Sequence, residues 1–260
     1  MDILVFVKRV PDTESRIRVS HETNTVVEEG LNFIISPYDE YALEEALRIK
    51  ESKGGKVTAV SVGKEDALTI LRKCLAMGAD EAALIKDPLE ETYDGLRTAR
   101  IIAGFVKKKF PQARLLLFGK QSVGADNAQV PSMLAELLDL PQVNVVVRLE
   151  LEEDRGVAYR EIEGAQEKVA FPLPAVISAQ KGLNEPRYET LKGIMAAKRK
   201  EIPIIPIEEI GIAAEDLAPR VAVTRLEIPP ARRAGRVTSG PAEETARQLV
   251  EFLHREAKVI

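Results

Sequence analysis

The stretch LLLFGKQSVGADNAQVPSMLAELLDL, Leu115 to Leu140, decides how the rest of the chain is read. It predicts a buried strand (Leu115–Phe118), a loop punctuated by Gly119 and Gly124, and a helix carrying Met133, Leu134, Leu137 and Leu138. In open α/β sheets this strand–loop–helix unit places ligands at the carboxyl end of a strand. Pro131 locates the helix start, because a missing N–H is tolerated in the first turn. The helix is therefore expected from about Asn127–Ala128, with the N–H groups of Ala128, Gln129 and Val130 facing the loop. Free N–H groups at the positive end of a helix dipole suit a phosphate; an ordinary βα connection hydrated by water is the alternative. This is not a Walker loop: Gly119 and Gly124 have its glycine spacing, but Ala125-Asp126 stands where Lys-Ser/Thr would hold phosphate and magnesium.

Working outward, the apolar run Ile3–Val7 suits a strand buried on both faces. Ile17–Val19 and Val26–Val27 flank a polar turn and predict a small hairpin. Ser36-Pro37-Tyr38-Asp39 has N-cap, proline and acidic residue in the order that starts a helix, so this is a second candidate anion site beside plain capping. That helix runs to about Ser52. Then come a strand (Val57–Val62), a helix (Glu65–Met77) closed by Gly78, a strand (Ala82–Ile85), and a long helix (Thr92–Phe110). Beyond the opening stretch, Val143–Leu149 is a further strand. Such alternation predicts an α/β fold with a doubly wound, mostly parallel sheet, with Gly63, Gly119 and Ser36 gathered on one edge. Val157–Glu161 and Lys168–Phe171 read as a small antiparallel extension, and Ala175–Ala179 as a return to the main sheet. From Ile202 to Pro230 the chain has little helical signal. It reads as an arm laid on a stable partner or packed back on its own domain, and Arg232, Arg233 and Arg236 precede a last amphipathic helix, Ala242–Ala257. The expected division is a nucleotide-binding domain over 1–219 and a C-terminal arm and helix over 220–260.

Composition narrows the chemistry. The net charge of −4 gives no reason to expect nucleic acid, and the basic runs Lys107–Lys109 and Lys198–Lys200 sit at helix ends, where they suit the dipole. No apolar run approaches a membrane span and the start does not resemble a signal peptide, so a cytoplasmic protein without membrane insertion is expected. The single Cys74 lies on an apolar helix face, and the two histidines, His21 and His254, stand in no ligand-spaced cluster. Neither catalytic side chains nor a metal site are predicted.

Leu173-Pro-Ala-Val-Ile-Ser-Ala-Gln-Lys-Gly-Leu-Asn-Glu-Pro-Arg-Tyr-Glu-Thr-Leu-Lys-Gly-Ile-Met-Ala-Ala-Lys198 resembles the signature of electron-transfer flavoprotein β subunits. The resemblance covers nearly the whole chain, with Val5–Pro11, Ser36–Glu40, Ala76–Asp80 and Gly119–Gln121 matching in order. It implies a heterodimer whose α subunit holds most of a redox-active FAD, and a β-subunit arm that wraps that partner. Electrons would arrive from flavin dehydrogenases, such as acyl-CoA dehydrogenases, and leave to a quinone oxidoreductase. In most members the β subunit also buries a structural AMP. The residues around it map onto Phe6, the helix start Ser36, Pro37, Tyr38 and Asp39, Val62, and the loop Asp126, Asn127, Ala128, Gln129 and Val130. Tyr38 is also placed near the partner's flavin ring.

The docking element of the family is a protruding leucine, here Leu191, within Arg187-Tyr188-Glu189-Thr190-Leu191; Ile194, Met195 and Lys198 complete the implied surface. Read without the resemblance, Leu191 is a core residue of a short helix. Lys198, Arg199 and Lys200 would steer an acidic dehydrogenase surface. One departure bears on the nucleotide. AMP-holding members usually read Asn-Gln-Thr where this chain has Ala128-Gln129-Val130, and electron-bifurcating members, with a second FAD in this site, read Asp-Thr-Ala-Gln-Val-Gly. This chain's Asp126-Asn-Ala-Gln-Val-Pro131 is nearer the second pattern, whereas Ser36–Glu45 resembles the ordinary type. AMP is the expected ligand, with FAD the alternative. An adenine-nucleotide enzyme or sensor would want a glycine-rich loop after the first strand, and Lys8-Arg9-Val10-Pro11-Asp12 has no glycine.

Overall fold

The protein is described by a computed structural model covering residues 1–20, 22–87, 94–230 and 235–260. His21, the expected helix start at Thr92, and Arg232 and Arg233 lie outside the described residues. The chain opens with β1 (Asp2–Phe6), β2 (Arg9–Pro11), the hairpin β3 (Val19–Ser20) and β4 (Thr25–Val26), and β5 (Phe33–Ile35). Helix α1 (Pro37–Lys53), β6 (Lys56–Gly63), α2 (Leu68–Met77), β7 (Glu81–Lys86), α3 (Gly95–Lys109) and β8 (Leu115–Gly119) follow. Next are α4 (Val130–Leu138), β9 (Gln142–Leu151), β10 (Arg155–Ile162), β11 (Ala165–Pro172) and β12 (Ala175–Ala179). Then come α5 (Leu191–Arg199), β13 (Ile204–Pro206) and α6 (Ala242–Glu251).

Among the described residues one nine-stranded sheet runs β11-β10-β9-β12-β8-β1-β6-β7-β13. Every pairing from β9 to β13 is parallel, while β10 and β11 add the antiparallel extension. The alternation of side chains along a buried strand feeds two cores. Ile3 and Val5 of β1 join Leu43, Leu47, Leu71 and Cys74 on the face covered by α1 and α2. Leu4 and Phe6 join Ile101, Phe105 and Leu134 on the face covered by α3 and α4. The α/β, mostly parallel architecture expected from the sequence is the one observed. Cys74 is buried, and burial pushes its thiol well above the usual range, which makes it a packing residue.

From β1 the chain moves to β6 and β7 on one side and then returns to β8 on the other. This reversal between β1 and β8 is the switch point where an open sheet forms a crevice at its carboxyl edge. The start of α1 is pressed onto that point: a Cβ at Gly119 would lie 2.6 Å from the Tyr38 carbonyl carbon and 2.5 Å from Asp39 Oδ1.

One expectation is corrected here, and one stretch gains an element. The helix expected from Asn127–Ala128 begins at Val130, because Asp126 and Ala128 take left-handed backbone conformations (φ 51° each) that cannot continue into a helical turn. The 202–230 stretch is not without regular structure: Ile204–Pro206 pairs in parallel with Leu84–Lys86 as the sheet's edge. So short a strand is recognised by the edge it completes, not by its own periodicity.

Two compact units result, Met1–Leu226 and Glu227–Ile260. The stretch just past Pro219 stays with the first, since Arg220 N donates to Asp94 and the Asn24 side chain bonds Val223 O and Leu226 N. In the second unit α6 continues as a π-turn over Phe252–Ala257, and no residue of either segment is buried. Replacing Gly119 with Ala should destabilise the fold by about 1–3 kcal/mol, because backbone and a buried carboxylate must move. Urea unfolding of both forms measures it, and an unchanged midpoint would show that α1 is free to shift.

Candidate functional site

A crevice of about 1020 Å³, its open mouth included, lies beyond the carboxyl ends of β1, β6 and β8. Phe6 and Phe118 lie face to face on its wall, their ring centres 4.6 Å apart and their planes 12° apart. Val60, Val62 and Ile102 extend that apolar surface, so it can accept a flat, weakly polar group. The loop Ala125–Pro131 forms the facing wall with Asn127, Ala128, Gln129 and Val130.

Three helices begin near this crevice, and their first turns differ. At α3, Asp94 caps the helix by accepting from Leu96 N (3.0 Å) and Arg97 N (3.1 Å), and it also accepts from Arg220 N. Burial pushes its carboxyl up, yet these donors outweigh burial and hold it below the usual range. At α1, Pro37 has no N–H and Asp39 N donates to Ser36 O. The start of α4 has no side-chain cap. Among the described residues no protein group accepts from the N–H groups of Asn127, Ala128, Gln129 or Val130, and the first three of these residues are exposed. Donors left open beside an apolar wall suit a phosphate-bearing ligand.

Asp39 also faces the crevice. Its Oδ2 accepts from Lys8 N at 2.8 Å and its Oδ1 from Gly119 N at 2.9 Å, so the carboxylate bridges the ends of β1 and β8. Burial raises its pKa to about 7 against these two bonds, which pull it down. A carboxyl raised this far is less firmly charged near neutral pH, which weakens its repulsion of an anion in the crevice. Deeper in the wall, Arg97 and Asp87 form a buried pair in which Nη2 donates to Oδ1 at 2.8 Å. Lys120 Nζ sits 4.8 Å from the Tyr38 ring centre.

Of the nucleotide residues expected from the sequence, Phe6, Asp39, Val62, Asn127, Ala128, Gln129 and Val130 line the crevice together. Ser36, Pro37, Tyr38 and Asp126 do not. Ser36 is buried with its hydroxyl unpartnered, and Asp126 accepts from Gln121 Nε2 at 2.8 Å. Lys8, Asp87, Asp94 and Arg97 line the crevice but escaped the sequence reading. Asp94-Gly95, a helix cap, was the one signal that could have found part of this set.

The residues expected to dock a partner lie apart from the crevice lining. Tyr188, Leu191 and Met195 are 93%, 84% and 56% exposed, whereas Ile194 packs against the core. The reading of Leu191 as a core residue is thereby corrected. It occupies the first turn of α5, whose packing is carried by Ala197 and Ile194. No cluster of potential metal ligands occurs among the described residues, nor does any helix there suffice to cross a membrane.

Fold and crevice define the class: a doubly wound α/β domain with a ligand-sized cleft at its switch point. Residues 23–210 match the model of the electron transfer flavoprotein domain. The electron transfer flavoprotein subunit beta of Bacillus subtilis is 40% identical over 262 residues, covering 100% of both chains. That of Mus musculus is 40% identical over 235 residues, 89% of this chain and 90% of its own. Subunit CarD of the caffeyl-CoA reductase-Etf complex of Acetobacterium woodii is 37% identical over 258 residues, 97% of this chain and 98% of its own. The chain belongs to the electron transfer flavoprotein family, and its role is in electron transfer.

A carboxyl whose pKa is higher folded than unfolded contributes stability that is complete below the unfolded value, 3.8, and is lost as pH rises through about 7. Asp39→Asn removes that titration. Between pH 4 and 7 the wild type should lose stability relative to the variant, at a slope approaching about 1.4 kcal/mol per pH unit. Parallel denaturation profiles across that range would contradict the assignment.

Proposed function

We propose that this chain is the β subunit of a heterodimeric electron-transfer flavoprotein that performs no bond chemistry with its own side chains. Its α-subunit partner would hold most of a redox-active FAD. Electrons would pass from flavin dehydrogenases, such as the acyl-CoA dehydrogenases of fatty acid oxidation, to a quinone oxidoreductase, within the cytoplasm. FAD supplies the electron-carrying chemistry when bound; this chain supplies surfaces. The observation that carries the proposal is the family membership together with an apolar anchor, Leu191, held out in solvent. Burying an exposed leucine in a partner pocket is what a docking hot spot does. In the C-terminal unit, Leu249, Val250 and Val259 are exposed on or beyond α6, and this unit is proposed to meet the α subunit.

AMP is proposed for the crevice. The open N–H groups from Asn127 to Val130 would hold its phosphate, and the apolar wall with Phe6 and Val62 would receive its base. Backbone donors need no particular side chains, so Ala128 and Val130 can serve where Asn and Thr stand in other members. FAD in the same crevice is the second reading, favoured by the loop sequence Asp126–Pro131.

Mass analysis of small molecules released from the denatured, co-purified heterodimer should give one flavin and one adenylate. Two flavins and no adenylate would place the protein with the second reading. Leu191→Ala should slow reduction by a dehydrogenase about tenfold or more while flavin content is kept, as loss of a hot spot does. Unchanged stopped-flow kinetics would remove the docking role.

A further inference from the structure

The residue two positions after Glu185 in the Asn-Glu-Pro-Arg-Tyr run has the charge and exposure of a docking contact, but its bonds lie inside the chain. Arg187 donates from Nε (2.8 Å) and Nη2 (3.1 Å) to the two oxygens of Glu44, and its backbone N–H reaches Glu44 Oε2 at 3.2 Å. It donates from Nη1 (2.5 Å) and Nη2 (3.1 Å) to the two oxygens of Glu51, about two turns further along the same face of α1. Every guanidinium nitrogen is thus engaged, in two side-on pairs whose planar geometry a lysine cannot reproduce. The Glu44 side chain is 4% exposed and cannot be left alone without cost. Asn184 adds bonds of 3.0 Å each to Tyr41 O and the Glu45 carboxylate.

Beyond this clamp the chain turns outward. Tyr188 is exposed, Thr190 caps α5 through Gly193 N at 3.0 Å, and Leu191 stands in the helix's first turn. The other end of α5 is fixed independently, since Arg72 donates to the carbonyls of Ala197 and Lys200. Gly193 presses the first turn onto α2: a Cβ there would lie 2.1 Å from Ala76 O. A helix held at its first turn and at its end presents Leu191 and Met195 at fixed places, and an anchor that is already ordered loses less entropy on binding.

We propose that Arg187 is a positioning residue for docking: it makes no partner contact and instead locks residues 184–190 onto α1 so that Leu191 is presented. This rests on the docking role proposed above. The clamp therefore acts through Leu191, and its effect must vanish once Leu191 is gone.

The test uses the intact heterodimer, with a purified acyl-CoA dehydrogenase as electron donor. Arg187→Ala should raise the KM for the heterodimer about tenfold, the scale of a truncated hot spot, and Arg187→Lys should recover part of it. The double variant Arg187→Ala/Leu191→Ala should match Leu191→Ala alone, because the two act as one unit. Amide exchange across residues 188–193 should quicken in Arg187→Ala, with released adenylate content held. Glu51→Gln, which leaves the buried Glu44 pair intact, should move both readings the same way by less, and serves if Arg187→Ala fails to fold. Effects of Arg187→Ala and Leu191→Ala that multiply in the double variant would make Arg187 a partner contact and overturn the clamp. Exchange rates unchanged to within about twofold would overturn it as well. Should Leu191→Ala leave KM unchanged while Arg187→Ala quickens exchange, the docking role falls and the clamp stands.

Discussion

The arrangement turns on one carboxylate. Asp39 reaches from the first turn of α1 to the backbone N–H groups of Lys8 and Gly119, the residues that end or follow β1 and β8. Those strands flank the reversal of the sheet, where neighbouring backbone groups have no strand to pair with. By accepting both, Asp39 closes two open ends at once and fixes α1 against the edge of the crevice. Gly119 is the counterpart, since its missing side chain is the space α1 occupies.

From that junction the site follows with few further assumptions. The three nearby helix starts are treated unequally by their own sequences. Asp94 gives α3 an internal anion, and Pro37 with Asp39 leaves α1 little to offer, while Gln129 does not cap α4. A negative ligand is favoured only where donors are both open and unopposed by a fixed carboxylate. The left-handed residues Asp126 and Ala128 shape the loop so that those donors border the crevice.

The parts of this picture that were legible in the sequence are those with strong local signals. The buried strands, the Ser36-Pro37 helix start and the Gly119 loop each have a composition only one kind of structure tolerates. The start of α4 was displaced because a proline is tolerated anywhere in the first turn and so does not fix the first residue, and no residue announces αL backbone in an alanine. The edge strand Ile204–Pro206 was invisible because three residues carry no period. Arg97 and Asp87 escaped for a different reason. Their pairing spans α3 and the end of β7, and long-range complementarity between charges leaves no trace in spacing. Arg187 was legible as important but not in its role, since a sequence does not show which way a guanidinium points.

Helix α1 unites these observations, and its carboxylates show how the same burial is resolved in different ways. Asp39, Glu44 and Glu45 are all buried, a costly state for a charge without partners. Asp39 has backbone donors alone and is driven to about 7. Glu45 is also raised by burial, which the amide of Asn184 offsets only in part. Burial pushes Glu44 upward too, but hydrogen bonds from Arg187 and Arg48 outweigh it and hold the group below its ordinary value. Glu44 is therefore the member of the three whose charged form its donors favour. A buried charge demands its cation, and Arg187, with the segment behind it, lies down on the helix to supply it. The exposed Leu191, four residues later, follows a segment tied down on a carboxylate that no local spacing singles out.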